Sequence, residues 1–273
     1  MTIRLVATDL DGTVVRRDGT ISERTAAAFA ALEDRGIHLV LVTGRPPRWM
    51  AEIVNMTRHR GTAICANGAL VYDLHTEQLV DQHLLDARTA LEVVRRVRKV
   101  LPNAAYAVER GPTATEPDGF AHDPSYIPRW DPSGGSRAAP IEELLADGPV
   151  AKLLVRDETS SSDAMLEAIR PALAGLVEVT HSNPRDCLVE VSALGVSKAT
   201  TLAAYAARLG IHAGEVVAFG DQPNDLAMLR WAGKSYAVAN AHADVLDAVS
   251  DVTDHVDADG VAQVLEKLIA QVY

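Results

Sequence analysis

The sequence predicts an α/β fold: a parallel sheet with covering helices, interrupted by an inserted α+β domain. Short apolar runs alternate with helix-length amphipathic segments over residues 3–80, and the same alternation returns over residues 197–269. That is the grammar of βαβ units, whose strands are covered on both faces. Between these stretches, residues 83–189 follow a different rhythm of helices and strands. At 273 residues the chain exceeds a typical single domain, and two domains are expected.

Residues 3–7 read as a buried strand ending just before Asp9. Ser22 can N-cap a helix to about residue 34, closed by Gly36, and residues 37–42 form the next apolar run. After Pro46 and Pro47 a second helix leads to a strand at 62–66, and Asn67-Gly68 marks a turn. The middle segment opens with a basic helix at 87–100, followed by strands near 104–108 and 150–155, a helix near 163–173, and strands at 176–180 and 187–191. Within it, residues 111–137 are rich in Pro and Gly and hold Phe120, Tyr126 and Trp130. A surface loop anchored by aromatic plugs is one reading, a specificity or dimer-contact loop the other. Ser197 begins a helix to about 209, 216–219 is a strand, 226–231 lies in a helix, 236–239 is a short strand, and 260–269 is the final helix. The expected domains are residues 1–82 with 190–273, and the insert 83–189.

Composition narrows the function classes. Hydrophobic residues make up 48% of the chain and charged residues 23%, ordinary globular values. A net charge of -11 argues against nucleic acid as a partner, because counterion displacement needs a basic surface. No uninterrupted stretch approaches the roughly 18 apolar residues of a membrane span, and no secretory leader is visible, so a cytoplasmic location without membrane attachment is expected. Cys65 and Cys187 lack metal-ligand spacing and read as buried free thiols.

The chemistry starts at Asp9-Leu10-Asp11-Gly12-Thr13, two carboxylates at a strand exit. In an extended segment, residues i and i+2 point the same way, so Asp9 and Asp11 need a cation, a shared proton or a turn between them. Asp9 is placed to attack a phosphoryl group, and Asp11 to give a proton to the leaving oxygen and later take one from water. Thr43, at the end of the second strand, and Lys198 are donors for the phosphoryl oxygens. Asp221 follows another strand and Asp225 lies four residues on, so Asp9, Asp11, Asp221 and Asp225 form a candidate oxygen-ligand set for Mg2+. Asn224 can donate a hydrogen bond in the same loop, and Arg45 either meets substrate or braces the turn after Thr43.

These residues resemble the haloacid dehalogenase superfamily of phosphatases, specifically the Cof-like subgroup with a late-inserted, C2-type cap. The first motif is Asp9 to Thr13, the second Thr43-Gly44-Arg45-Pro46, the third Lys198, and the fourth Gly220-Asp221-Gln222-Pro223-Asn224-Asp225; Ala66-Asn67-Gly68-Ala69 is similar to a characteristic turn of the subgroup. The resemblance implies a Rossmann-like core, a mobile cap, and Mg2+-dependent hydrolysis of phosphomonoesters through an aspartyl-phosphate. It makes Thr43, Gly44, Arg45, Asn67, Lys198 and Asn224 candidate substrate contacts. The interval from Asp11 to Thr43 has room for a helix and a strand only, so the insert falls between Thr43 and Lys198. Ala199 and Val256 stand where the subgroup often has glycine and asparagine. The expected partner is a small phosphorylated metabolite such as a sugar phosphate or phosphorylated cofactor, with the protein a monomer or homodimer. Candidate cap contacts are His122, Arg129, His181, Asn183 and Arg185. A phosphomannomutase-like phosphomutase shares this core and cap class, and a non-catalytic phosphometabolite-binding module is the alternative outside catalysis.

Overall fold

A computed structural model of the chain describes residues 2–111, 119–129 and 136–270. Trp130 and residues 112–118 and 131–135 of the 111–137 connection lie outside the described residues. The chain forms two compact units, Met1–Asp81 with Ser197–Tyr273, and Gln82–Val196.

The larger unit begins with β1 (Leu5–Thr8), α1 (Glu23–Glu33), β2 (His38–Val42), α2 (Met50–Thr57) and β3 (Thr62–Cys65). Ser22 starts α1 by accepting the Thr25 N–H at 3.0 Å, as a cap should. β4 (Leu70–Asp73) runs antiparallel to β3, and β5 (Gln78–Gln82) follows it. The smaller unit holds α3 (Ala87–Val100), β6 (Ala105–Glu109), β7 (Phe120–His122), β8 (Arg137–Ala138), α4 (Ile141–Ala146), β9 (Lys152–Arg156), α5 (Ser162–Leu173), β10 (Val177–Thr180) and β11 (Leu188–Ala193). The chain returns to the larger unit with α6 (Lys198–Arg208), β12 (Val216–Gly220), α7 (Leu226–Trp231), β13 (Lys234–Val238), α8 (Ala243–Ala248), β14 (Val252–Thr253) and α9 (Gly260–Ala270).

Among the described residues the larger sheet has the order β14-β13-β12-β1-β2-β3-β4-β5. From β14 to β3 every neighbour is parallel. The order reverses on either side of β1, with Leu5 to Thr8 in register with Val216 to Phe219 on one side and His38 to Leu41 on the other. Such a switch point is where loops at the carboxyl ends of parallel strands open a crevice. Leu5, Ala7, Val40, Val42, Val216 and Ala218 pack with Leu202 and Ala206 of α6 in one core cluster. Each large aliphatic side chain buried there contributes about 1.5–3 kcal/mol.

The smaller sheet runs β10-β11-β9-β6-β7-β8. It is antiparallel except for the β7–β8 pair. α3 and α5 cover one face, where Val93, Val97, Met165 and Ile169 meet Val108, Leu153 and Val191. The alternate residues Ala105, Ala107 and Leu154 join Tyr126 in a separate cluster, as the two-residue period of a strand requires. This unit is α+β.

Three expectations change. The boundary expected at 189/190 cuts through β11, which is bonded to both β10 and β9, so the smaller unit continues to Val196. β4 and β5 were not expected, because β5 is a half-exposed edge strand of mixed residues, QLVDQ. Cys65 is buried in β3, but Cys187 is only half-buried and precedes β11 with φ +52°.

Candidate active site

β1 stops where its ladder does. The Asp9 N–H donates to the Phe219 carbonyl at 3.0 Å, and the chain then coils, with the N–H groups of Thr13, Val14 and Val15 all donating to the Leu10 carbonyl. Gly12 takes φ +86°, and a Cβ there would lie 2.5 Å from Asp221 Oδ2, so only glycine fits. This coil separates the two acids that an extended chain would have aligned. Asp9 is 5% exposed, while the Asp11 side chain is 56% exposed and gripped by Arg45. Arg45 Nε and Nη2 donate to its two oxygens at 2.7 and 2.5 Å, a two-pronged pairing. The expectation that the Asp11 carboxylate shares a metal site with Asp9 is therefore corrected. The carboxylates that converge are Asp9, Asp221 and Asp225, whose ligand atoms lie within 4.8 Å of one another.

The turn after β2 supports the second group. Thr43 is 1% exposed; its N–H donates to the Ile64 carbonyl at 2.8 Å, and its hydroxyl accepts the Arg45 N–H at 3.0 Å across Gly44. Arg45 thus both braces the Thr43 turn and reaches Asp11. The Asn67 N–H donates to the Thr43 carbonyl at 3.0 Å. Asn67 adopts the left-handed conformation, φ 57° and ψ 30°, with its side-chain oxygen accepting from Asn224 Nδ2 at 3.1 Å.

Gly68 then lets α6 dock. A Cβ at Gly68 would come within 2.4 Å of the Ser197 carbonyl, and Thr201 Oγ1 donates to the Gly68 carbonyl at 2.8 Å. Ser197 caps α6 by accepting the Thr200 N–H, which puts Lys198 at the first helical position. Lys198 Nζ donates to Asp9 Oδ1 at 2.5 Å and to Asp225 Oδ1 at 2.7 Å.

β12 delivers the other acids. Asp225 Oδ2 accepts the N–H groups of Asp221 and Gln222 at 3.0 Å each, locking the loop. Asp221 Oδ1 accepts from Thr13 Oγ1 at 2.9 Å, and its Oδ2 from Gln222 Nε2 at 2.8 Å. Burial pushes the Asp9 carboxyl well above its usual range; Lys198 pulls it back, and Asp225 and Asp221 push it up again. Burial and then Asp225 push Asp221 up to about 7. Burial opposes the Lys198 charge, yet Asp225 and Asp9 outweigh it and raise its pKa. One ammonium facing three buried carboxylates leaves the cluster short of positive charge, and its donors are all hard oxygens. That donor set fits a divalent cation such as Mg2+.

Thr13, Gln222 and Asn240 had no expected role. Asn240 Nδ2 donates to the Gly12 carbonyl at 2.7 Å and its Oδ1 accepts the Val256 N–H at 2.9 Å, tying the Asp9 coil to the C-terminal segment. Thr13 and Gln222 were visible inside two motifs, but only the fold shows that both bond to Asp221. The cap candidates have partners in their own unit. His181 is buried and its Nε2 meets Asp163 at 2.7 Å; Arg129 pairs with Glu158 at 2.5 Å; His122 Nδ1 bonds to the Asp123 carbonyl at 2.8 Å; Asn183 Oδ1 accepts the Arg185 N–H at 3.0 Å.

Residues 6–265 match the haloacid dehalogenase-like hydrolase family. The chain is 27% identical to the 5-amino-6-(5-phospho-D-ribitylamino)uracil phosphatase YcsE of Bacillus subtilis, over 96% of this chain and 94% of that protein. It is 25% identical to the pyridoxal phosphate phosphatase YbhA of Escherichia coli, over 96% and 97%. Its fold superposes on the phosphatase BT1666 of Bacteroides thetaiotaomicron with a TM-score of 0.79 at 24% identity, covering 98% and 95% of the two chains. No helix among the described residues is long and apolar enough to cross a membrane.

Proposed function

Because this chain belongs to the haloacid dehalogenase-like hydrolases and is a phosphoric monoester hydrolase, we propose that it releases phosphate from small phosphorylated metabolites through an aspartyl-phosphate on Asp9, with Mg2+ as cofactor. The observation that carries this reading is the buried cluster of Asp9, Asp221 and Asp225 around Lys198, at the carboxyl edge of the strand where the sheet order reverses.

Lys198 fixes Asp9 Oδ1, and among the described residues no hydrogen bond is made to Oδ2; that oxygen attacks phosphorus as the bond to the leaving oxygen breaks. Asp11, released from Arg45 and protonated, gives that proton to the leaving alkoxide. It then takes a proton from the water that attacks the phosphoenzyme, which regenerates the Asp9 carboxylate and frees inorganic phosphate. Arg45 sets where the Asp11 carboxylate points. Lys198 and Thr43 are the donors for phosphoryl oxygens, with Gly44 lying against the phosphoryl group and Asn67 and Asn224 holding the adjoining turn. Bound Mg2+, held by Asp9, Asp221 and Asp225, would offset the charge of nucleophile and phosphate as they meet. The unit Gln82–Val196 is the cap in this reading, and the organic part of the substrate is a metabolite of the size of a sugar phosphate or phosphorylated cofactor.

Phosphate release from a panel of sugar phosphates, nucleotides, pyridoxal phosphate and flavin mononucleotide tests this, with Mg2+ and with chelator. Release that needs the metal and disappears in Asp9→Asn is expected. Isomerised substrate with the phosphate retained would identify a mutase instead.

A further inference from the structure

Gln222 was part of the fourth motif without a role, and its side chain is oriented by chemistry alone. In the ionised form that would hold a cation, the Asp221 carboxylate can only accept, so the amide presents Nε2 to Asp221 Oδ2 at 2.8 Å. That leaves Oε1 on the opposite side of the same carbon, buried and without a donor. The Asp225 N–H cannot serve it, since it donates to the Gln222 backbone carbonyl at 2.8 Å. Asn224 Oδ1, in the same loop, is a second buried acceptor with no donor. Buried acceptors rarely stay unsatisfied, and each one calls for a missing donor. The loop holding both orphans also supplies Asp221 and Asp225 to the carboxylate cluster.

Resting on the Mg2+ phosphatase reading, we infer that Gln222 is a positioning residue for the cation: Nε2 orients the ligand Asp221, and Oε1 accepts a hydrogen bond from water that the cation retains. Mg2+ parts with its water reluctantly and keeps several molecules, whereas Ca2+ takes more oxygens in looser geometry. A group that accepts a hydrogen bond from retained water therefore matters more for Mg2+ than for Ca2+. Partners behind the ligands of a metal site are worth about 10- to 100-fold in affinity.

The test is calorimetric titration of the full chain with Mg2+ and, separately, Ca2+, for wild type, Gln222→Met and Gln222→Asn. Met keeps the length of the side chain without its amide; Asn keeps the amide but withdraws it by a methylene. About tenfold weaker Mg2+ binding in both variants is expected, with Ca2+ changed less than about threefold. The Mg2+ concentration for half-maximal activity should rise in parallel, while kcat at saturating Mg2+ stays within about twofold. Equal losses for both cations would overturn the role of the retained water, and Mg2+ affinity unchanged from wild type would overturn the inference about Gln222 while leaving the phosphatase reading intact. Wild type that binds no Mg2+ at all would remove both.

Discussion

Asp9 sits in a buried cluster with more negative than positive charge. Lys198 faces Asp9 and Asp225 directly, and Asp221 completes the three acids. Asp9→Asn removes one carboxylate from this crowd, so its melting temperature in chelator should equal or exceed that of wild type while turnover falls by more than about a thousandfold. Wild-type turnover in that variant would remove Asp9 from the chemistry. Lys198→Met acts the other way, leaving buried carboxylates unpaired; denaturant titration should show a loss of about 3–5 kcal/mol. The raised pKa of Asp221 gives a pH test. A carboxyl whose folded pKa lies near 7, against an ordinary 3.8, adds stability that is complete below about pH 4 and is lost as pH rises through about 7. The metal-free protein should therefore melt lower at pH 8 than at pH 6, and saturating Mg2+ should flatten that slope; a metal-free slope of opposite sign would contradict the burial argument. That Asp9, Asp221, Asp225 and Lys198 converge was legible in the sequence, because each lies just after a strand or at the start of a helix. The direction of Asp11 was not, because it depends on three N–H groups converging on the Leu10 carbonyl, and no i/i+2 rule contains that turn.

At the scale of elements, the site depends on how α6 meets the Asn67–Gly68 turn. Ser197→Ala removes a cap and should cost about 1 kcal/mol in urea unfolding, with little change in kcat. Gly68→Ala should cost more, because φ is +105° and the new methyl would meet the Ser197 carbonyl at 2.4 Å. Since that collision pushes on the residue next to Lys198, kcat should fall as well; a stability loss with unchanged kcat would show that the docking does not position Lys198. Elements with a cap and an apolar stripe were legible. α3 spans the expected 87–100, with Asp86 accepting the Thr89 N–H to start it. α4 and α8 were missed: each is only six residues long, too short to display a periodic stripe, and neither follows directly on a recognised motif, as the equally short α7 does. β5 was missed because QLVDQ is a short, half-exposed strand at the edge of the sheet with few apolar residues.

For the whole molecule, a net charge of -11 opposes the approach of an anionic phosphate ester. With Mg2+ saturating, kcat/KM should rise, by up to about threefold, as salt is raised from low ionic strength to about 0.15 M, because screening weakens that repulsion. A fall would point to local positive charge that outweighs the global field. The division into two units was legible from the change of rhythm between the halves, whereas its C-terminal limit was not, since β11 belongs to the smaller sheet by hydrogen bonding that its apolar sequence does not reveal. The most direct measurement is rapid acid quench of the Mg2+-loaded enzyme during turnover of a good phosphomonoester, with mass spectrometry of the digested protein. A phosphoryl group on the peptide at Asp9, absent in chelator and in Asp9→Asn, is the expected result; steady turnover with the phosphoryl group on another residue, or persisting in Asp9→Asn, would contradict the assignment of Asp9 as nucleophile.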